Sequence, residues 1–374
     1  MTFQNKELQR YSRHLVLPEI GLEGQEKLKN AKVLVVGAGG LGAPVLLYLA
    51  AAGIGKIGIV DFDRVEESNL QRQVLFQTKD IGRLKATVSS EKIQALNPYI
   101  QTAVFNIPLS VENAADIFEG YDLVVDGTDN FPTRYLVNDA CVLLNKVNIY
   151  GSIFRFEGQV SVFNYLRNDG SRGPNYRDIF PEPPPPGQVP NCAEGGVLGM
   201  LPGIIGSMQA NEAIKVITGA GTPLDGKLFL FDALSMESMI VKIPIPKVRK
   251  TITKLEILDE YCMNPVENNF TDLITVSQYK NMKDQGIDHQ LIDVRESWEH
   301  TLSNIGGLSI PQHQIFNSLE NIKKDKDVIV YCRSGKRSGD IVTALRQKGF
   351  KNLYSLKGGI LAWADEIDQT LTKY

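Results

Sequence analysis

Apolar runs about five residues long recur along the first two-thirds of the chain, each closed by a turn former or an acid. Between them lie longer stretches with helical spacing. Lys32–Val36 is rich in valine and stops at Gly37. Positions 41–52 then read as a buried helix, and Lys56–Val60 as a second strand ending at Asp61. The pattern predicts a helix over Lys85–Leu96, stopped by Asn97 and Pro98. Further strands are expected at Gln101–Phe105, 122–125, 147–150, 159–163 and 228–231. Such alternation argues for an α/β fold whose mostly parallel sheet is covered on both faces. The later strands follow more closely, which predicts some antiparallel pairing.

Residues 166–190 interrupt this order: a polar, glycine-bearing stretch leads into the proline-rich segment 181–187, which must be extended and semi-rigid. After Cys192 a run of small residues at 195–206 precedes a helix reaching Val216. The periodicity fades around 244–271, and β/α alternation then restarts. Strands are expected at 290–294, 327–331 and 352–356, with helices near 339–348 and around Trp363. The expected organisation is a domain over 1–246, a linker over 247–271 and a smaller α/β domain over 272–374, without internal repeats.

Composition narrows the function classes. A chain of 374 residues suits two or three domains, and 43% hydrophobic with 22% charged residues excludes overall disorder. Forty basic against 43 acidic residues leave a net charge of −3, no field for nucleic acid or an anionic membrane surface. The 4 cysteines form no CxxC pair and no disulfide framework, which suggests a reducing, cytoplasmic setting. The polar N-terminus argues against a secretory signal. Positions 33–55 lack charge and are long enough to span a bilayer, but their glycines and Pro44 favour strand, turn and helix.

Candidate chemistry begins at Gly37, Gly39, Gly40 and Gly42, a GxGxxG turn between strand and helix. Such glycines let backbone N–H groups approach phosphate at a helix N-terminus, and Asp61 can accept hydrogen bonds from a ribose. The turn alone leaves NAD and ATP open, so an NAD-linked oxidoreductase is a rival reading. The following residues favour ATP: Asp63, Ser68, Asn69, Leu70, Gln71 and Arg72, then Arg83 and Lys85, gather donors suited to a triphosphate. Asp129 follows the strand at 122–125, where it could hold Mg²⁺; the alternative makes Asp126 and Asp129 helix caps, and Asp126 reads equally as a site acid or a cap.

Taken in order, Arg10 to Arg13, Gly24 and Gln25, the 37–42 loop, 61–73, Lys85, Asn97 and Pro98, Thr128 to Asn130 and 195–215 resemble the ubiquitin-activating-like adenylyltransferases. The likeness is to the type that activates the sulfur carriers of molybdopterin synthase and thiamine synthesis, and runs from about 8 to 245. It implies a Rossmann-like adenylation domain using ATP and Mg²⁺ to adenylate the C-terminal glycine of a small ubiquitin-like carrier ending in Gly-Gly. Nucleotide contacts are implied for Gly40, Asp61, Ser68 to Arg72, Lys85, Asp129 and Asn130. Arg13 matches an arginine that reaches the partner subunit's nucleotide, so a homodimer is implied. Cys192 matches a cysteine able to form a thioester or acyl disulfide with the carrier; a buried inert thiol is the other reading. Cys141, in an apolar helical run, reads as core. Many relatives carry two zinc-binding CxxC pairs, but this chain offers Asn175, Asp178, Asp259 and Cys262 there, so no zinc is expected.

Near the C-terminus an apolar strand leads into Cys332, Arg333, Ser334, Gly335, Lys336 and Arg337, then a helix. Convergent N–H groups, a helix N-terminus and three cations all favour a thiolate. Phosphatase loops need arginine where this chain has Ser338. The loop, with Leu291, Asp293, Arg295 and Glu296, instead resembles a rhodanese-like domain over about 270–374; its usual second motif is altered at 303–307. The resemblance implies a Cys332 persulfide, loaded from thiosulfate or a cysteine desulfurase persulfide. Together the halves imply adenylation followed by sulfur transfer from Cys332, directly or through Cys192, to give a thiocarboxylate for molybdopterin, thiamine or tRNA thiolation. A non-catalytic scaffold of two binding modules is the remaining rival; the intact acid and thiol argue against it.

Overall fold

The computed structural model describes residues 3–184, 195–246, 249–256 and 272–373. Two compact units form, Met1–Cys262 and Met263–Tyr374.

The first unit is built on eight strands: β1 (Lys32–Val36), β2 (Lys56–Val60), β3 (Gln101–Phe105), β4 (Leu123–Asp126), β5 (Val147–Phe154), β6 (Glu157–Phe163), β7 (Lys227–Asp232) and β8 (Glu237–Lys242). Their order is β3-β2-β1-β4-β5-β6-β7-β8. Strands β1 to β5 pair in parallel, and β5 to β8 antiparallel. Alternation along β1 sorts the two cores. Val33 and Val35 pack with Leu46 and Leu49 of helix Gly42–Ala52, Ile93 of Lys85–Leu96 and Ala213 of Leu201–Thr218. Leu34 and Val36 face Phe118, Val137 and Cys141 on the opposite side. The order reverses between β1 and β4, so their carboxyl ends frame a crevice where ligands of such sheets bind.

Three features differ from the sequence expectation. Strand β5 runs on to Phe154, because β6 returns along its whole length. Strand β8, exposed throughout, was not anticipated; its apolar residues have no covering layer among the described residues. The N-terminal helices Asn5–Arg10, Ser12–Leu15 and Gly21–Asn30 also carry too little apolar spacing to be read. Tertiary bonds hold them: Asn97 Nδ2 donates to the Tyr11 hydroxyl at 2.8 Å, and Gln25 Nε2 to the Ala52 carbonyl at 2.8 Å.

The second unit has β9 (Leu273–Ile274), β10 (His289–Asp293), β11 (Leu308–Ser309), β12 (Asp327–Tyr331) and β13 (Leu353–Leu356), in the order β11-β10-β12-β13-β9. All neighbours are parallel. Val328 and Val330 pack under helix Lys336–Gln347, whereas Ile329 and Tyr331 face Tyr279, Ile360 and Trp363. Among the described residues no helix is long and apolar enough to cross a membrane.

Candidate functional site

The glycine turn sits at the carboxyl end of β1 and is locked to the end of β4. Gly37 adopts φ +92°, and a Cβ there would lie 2.8 Å from the Gly127 carbonyl oxygen. A Cβ on Gly42 would meet the Gly37 carbonyl at 1.9 Å, so the turn is too tight for side chains. Gly40 lies against Pro202 and Arg72, and Gly39 near Gln73, which brings the 71–73 segment and the start of helix Leu201–Thr218 to the loop.

Asp61, after β2, accepts from the Ala38 N–H at 2.8 Å and the Asp63 N–H at 2.9 Å. Burial pushes its carboxyl upward, with the Ala38 bond and Lys85 charge acting against it. Lys85 is only 6% exposed and meets Asp63 Oδ2 at 3.0 Å. Asn69 is buried, its Oδ1 accepting from the Glu66 N–H, and Arg72 donates to the Ser68 carbonyl at 3.0 Å. Asp129 and Asn130 are exposed at the end of β4. The helix cap lies on Asn130, whose Oδ1 accepts from the Thr133 N–H at 3.0 Å; neither Asp126 nor Asp129 caps this helix.

Some residues considered for this site lie elsewhere. Arg83 pairs with the exposed Glu91 and the buried Asp80. Arg13 is exposed on a helix whose neighbour Tyr11 packs against Gly53, beyond the far end of helix Gly42–Ala52. An eleven-residue helix is about 16 Å long, so Arg13 is remote from its own chain's glycine loop. Cys141 is fully buried, and burial raises its thiol well above the usual range. Cys192, Asp259 and Cys262 lie outside the described residues. The described part of the zinc-like set makes other bonds: Asn175 Oδ1 accepts from the Arg177 N–H, and Asp178 pairs with Arg249.

In the second unit Cys332 closes β12 at 1% exposure. Its Sγ accepts from the Gly335 N–H at 3.1 Å, and the Ser338 hydroxyl lies 3.5 Å away. The loop's carbonyls are held outward: the Ile360 and Leu361 N–H groups donate to the oxygens of Cys332 and Arg333 at 2.9 and 3.1 Å. Those donors open the helix Gly359–Glu366, so one helix terminus shapes the cradle for the other. Arg333 and Lys336 flank the loop, half-buried, with Ser334 exposed between them. Arg337 is turned to Glu299 in a two-point ion pair of 2.7 and 2.8 Å, so its charge is shared with an acid.

Sequence reasoning passed over several residues that build these sites. Ser338 counted only as a missing arginine, yet its Oγ also lies 2.7 Å from the Ser355 hydroxyl, both fully buried beneath Cys332. His300 joins, at 2.8 Å, the buried pair of Asp293 and Arg295 that the sequence had already singled out. At the altered 303–307 segment, Gly307 has φ +93° and lies on the Leu291 carbonyl, which requires glycine there. Gln209 ties its helix to the sheet by donating to the Asp126 carbonyl at 2.7 Å. Polar residues inside apolar helices are the only sequence sign of such ties.

Two family models match the chain: the ThiF family over residues 11–251 and the Rhodanese-like domain over 275–366. The chain is 46% identical over 376 residues to a probable adenylyltransferase/sulfurtransferase MoeZ of Mycobacterium tuberculosis, covering 99% of this chain and 96% of that protein. A sulfur carrier protein adenylyltransferase of Thermus thermophilus is 56% identical over 234 residues, 63% of this chain and 86% of that one. The crystal structure of E. coli MccB with ATP shares the fold of the first unit, with TM-score 0.55 at 24% identity over 67% of this chain and 75% of that chain.

Proposed function

This chain belongs to the ThiF family and carries a rhodanese-like domain, and from that premise we propose an ATP-dependent adenylyltransferase and sulfurtransferase acting on a small ubiquitin-like sulfur carrier. An oxygen of the carrier's C-terminal glycine carboxylate attacks the α-phosphorus of ATP, and the bond to the β-phosphate oxygen breaks. Pyrophosphate leaves, and the carboxylate becomes an acyl adenylate with AMP as a good leaving group. The loop from Gly37 to Gly42 offers backbone N–H groups to phosphate, Lys85 and Arg72 offset its charge, and Asp61 receives the ribose. Mg²⁺ would supply charge neutralisation on the phosphates. Asp129 suits it: Mg²⁺ takes one or two carboxylates besides phosphate oxygens and waters, and this acid is exposed two residues after Gly127, which packs on the Gly37 carbonyl.

In the second unit Cys332 takes sulfane sulfur as a persulfide, from thiosulfate or a cysteine desulfurase. Its outer sulfur attacks the acyl carbon and AMP departs. A thiol then opens the resulting disulfide, a role available to Cys192, releasing the carrier thiocarboxylate. The proposed assembly is a cytoplasmic homodimer in which Arg13 serves the partner's site, with domain boundaries at 1–246, 247–271 and 272–374.

The observation that supports this most is the pairing of two unlike cradles in one chain: a glycine turn locked to the Asp129 loop, and a thiol floored by Gly335 N–H and Ser338. The test is purified protein with ATP, thiosulfate and each candidate carrier, read by intact mass. One sulfur in place of one oxygen on a single carrier names the pathway. Cys332→Ala should remove that gain and keep pyrophosphate exchange; loss of both contradicts the division of labour.

A further inference from the structure

Asp129 lies between two anchored neighbours, and the anchor on its N-terminal side is built from buried charge. Asp126, the last residue of β4, is fully buried, and its Oδ1 accepts from the Thr128 N–H at 2.9 Å and the Thr128 hydroxyl at 2.6 Å. From the other side, Arg134 donates through Nη2 to the Thr128 carbonyl at 3.0 Å. Both groups of that residue are therefore held, while Asn130 on the far side caps the helix that carries Arg134. Gly127, just before, rests on the Gly37 carbonyl, where a Cβ would approach to 3.1 Å.

This anchor is costly as a packing device. Arg134 is 7% exposed, its Nε has no hydrogen-bond partner, and its guanidinium lies over the Tyr150 ring at 5.3 Å. Asp126 Oδ2 is buried without a partner as well. Buried charges that leave polar atoms unsatisfied commonly give no more stability than apolar residues of the same size. The anchor's bonds converge on a single residue, Thr128, the one that precedes Asp129.

We propose that Asp126 and Arg134 are positioning residues that grip Thr128 from both sides, by its N–H and hydroxyl and by its carbonyl, and so present the Asp129 carboxylate to the cation accompanying ATP. This rests on the reading of Asp129 as the Mg²⁺ ligand. Groups that orient a metal ligand typically alter metal affinity about 10–100-fold when removed.

The test uses the full chain with ATP and Mn²⁺ as the probe, the bound metal counted by electron paramagnetic resonance, beside thermal melting and metal-free ATP binding. Arg134→Met should weaken Mn²⁺ about 10-fold or more with metal-free ATP affinity kept, while the melting temperature falls because buried Asp126 loses its compensating cation. Arg134→Lys should recover part of the loss. Should Arg134→Met not fold, Thr128→Val carries the test, with an expected weakening of about fivefold for one lost hydrogen bond. Variants that fold and bind Mn²⁺ as the parent does overturn the proposal. Asp129→Asn separates the two claims: unchanged Mn²⁺ binding there removes the ligand assignment itself, and the positioning role with it.

Discussion

Replacing Ser338 by alanine probes the sulfur cradle most directly. The Ser338 hydroxyl has one proton and three neighbours: Cys332 Sγ at 3.5 Å, the Gly335 carbonyl at 3.1 Å and the Ser355 hydroxyl at 2.7 Å. Ser355 also lies 3.4 Å from the Gly335 carbonyl, so that acceptor has a second donor. When sulfur carries negative charge, Ser338 can donate to it and Ser355 can satisfy what Ser338 leaves. A hydrogen bond to a charged group contributes about 1.5–3 kcal/mol. Its loss should lower the second-order rate of thiosulfate-to-cyanide sulfur transfer by about 10- to 150-fold. The site is fully buried, so alanine leaves the Ser355 hydroxyl only its longer bond to the Gly335 carbonyl; the cost to stability is about 1–3 kcal/mol. Ser338→Thr keeps the hydroxyl and should retain more activity than alanine. The assay is stopped-flow sulfur transfer, with far-ultraviolet melting beside it. An alanine variant that transfers sulfur at the parental rate would refute the role given to this hydroxyl.

Three further outcomes follow from the geometry. Gly37→Ala places a Cβ 2.8 Å from the Gly127 carbonyl at φ +92°; it should lose at least about 1–2 kcal/mol of stability and most ATP affinity, read by melting and nucleotide titration. Burial would raise Asp293, but hydrogen bonds from Arg295 and His300 prevail and hold it below the usual carboxylate range. Its stabilising share is therefore complete above about pH 4 and is lost as pH falls through the lower folded-state value. Urea titrations of the full chain across acid pH should show this slope and a flatter one in Asp293→Asn, already weaker at neutral pH. Finally, Arg13→Ala and Lys85→Ala, each inactive alone, should regain pyrophosphate exchange when mixed under subunit exchange. Failure to regain it, with mixed dimers seen by native mass spectrometry, would place Arg13 outside the partner's site.

The two sites were legible to different depths. Glycine spacing at 37–42, the acid closing β2 and the cysteine closing β12 are local signals, because a turn, a strand end and a helix start each depend on neighbouring residues. The alternation along β1 and β12 likewise contained the two-faced sheets before any contact was known. The sequence alone therefore determined an α/β chain with a phosphate turn and a separate thiol loop.

Tertiary structure decided what surrounds those signals. Only folding shows that Arg337 faces Glu299, that Ser338 stands beneath the thiol, and that Arg134 grips the peptide before Asp129. It also withdraws Arg13 from its own glycine loop and gives the helix cap to Asn130. The physical reason is range. A side chain's bonds depend on which strand ends and helix termini meet in space, and residues dozens of positions apart meet there through the order of the sheet, which no local pattern encodes.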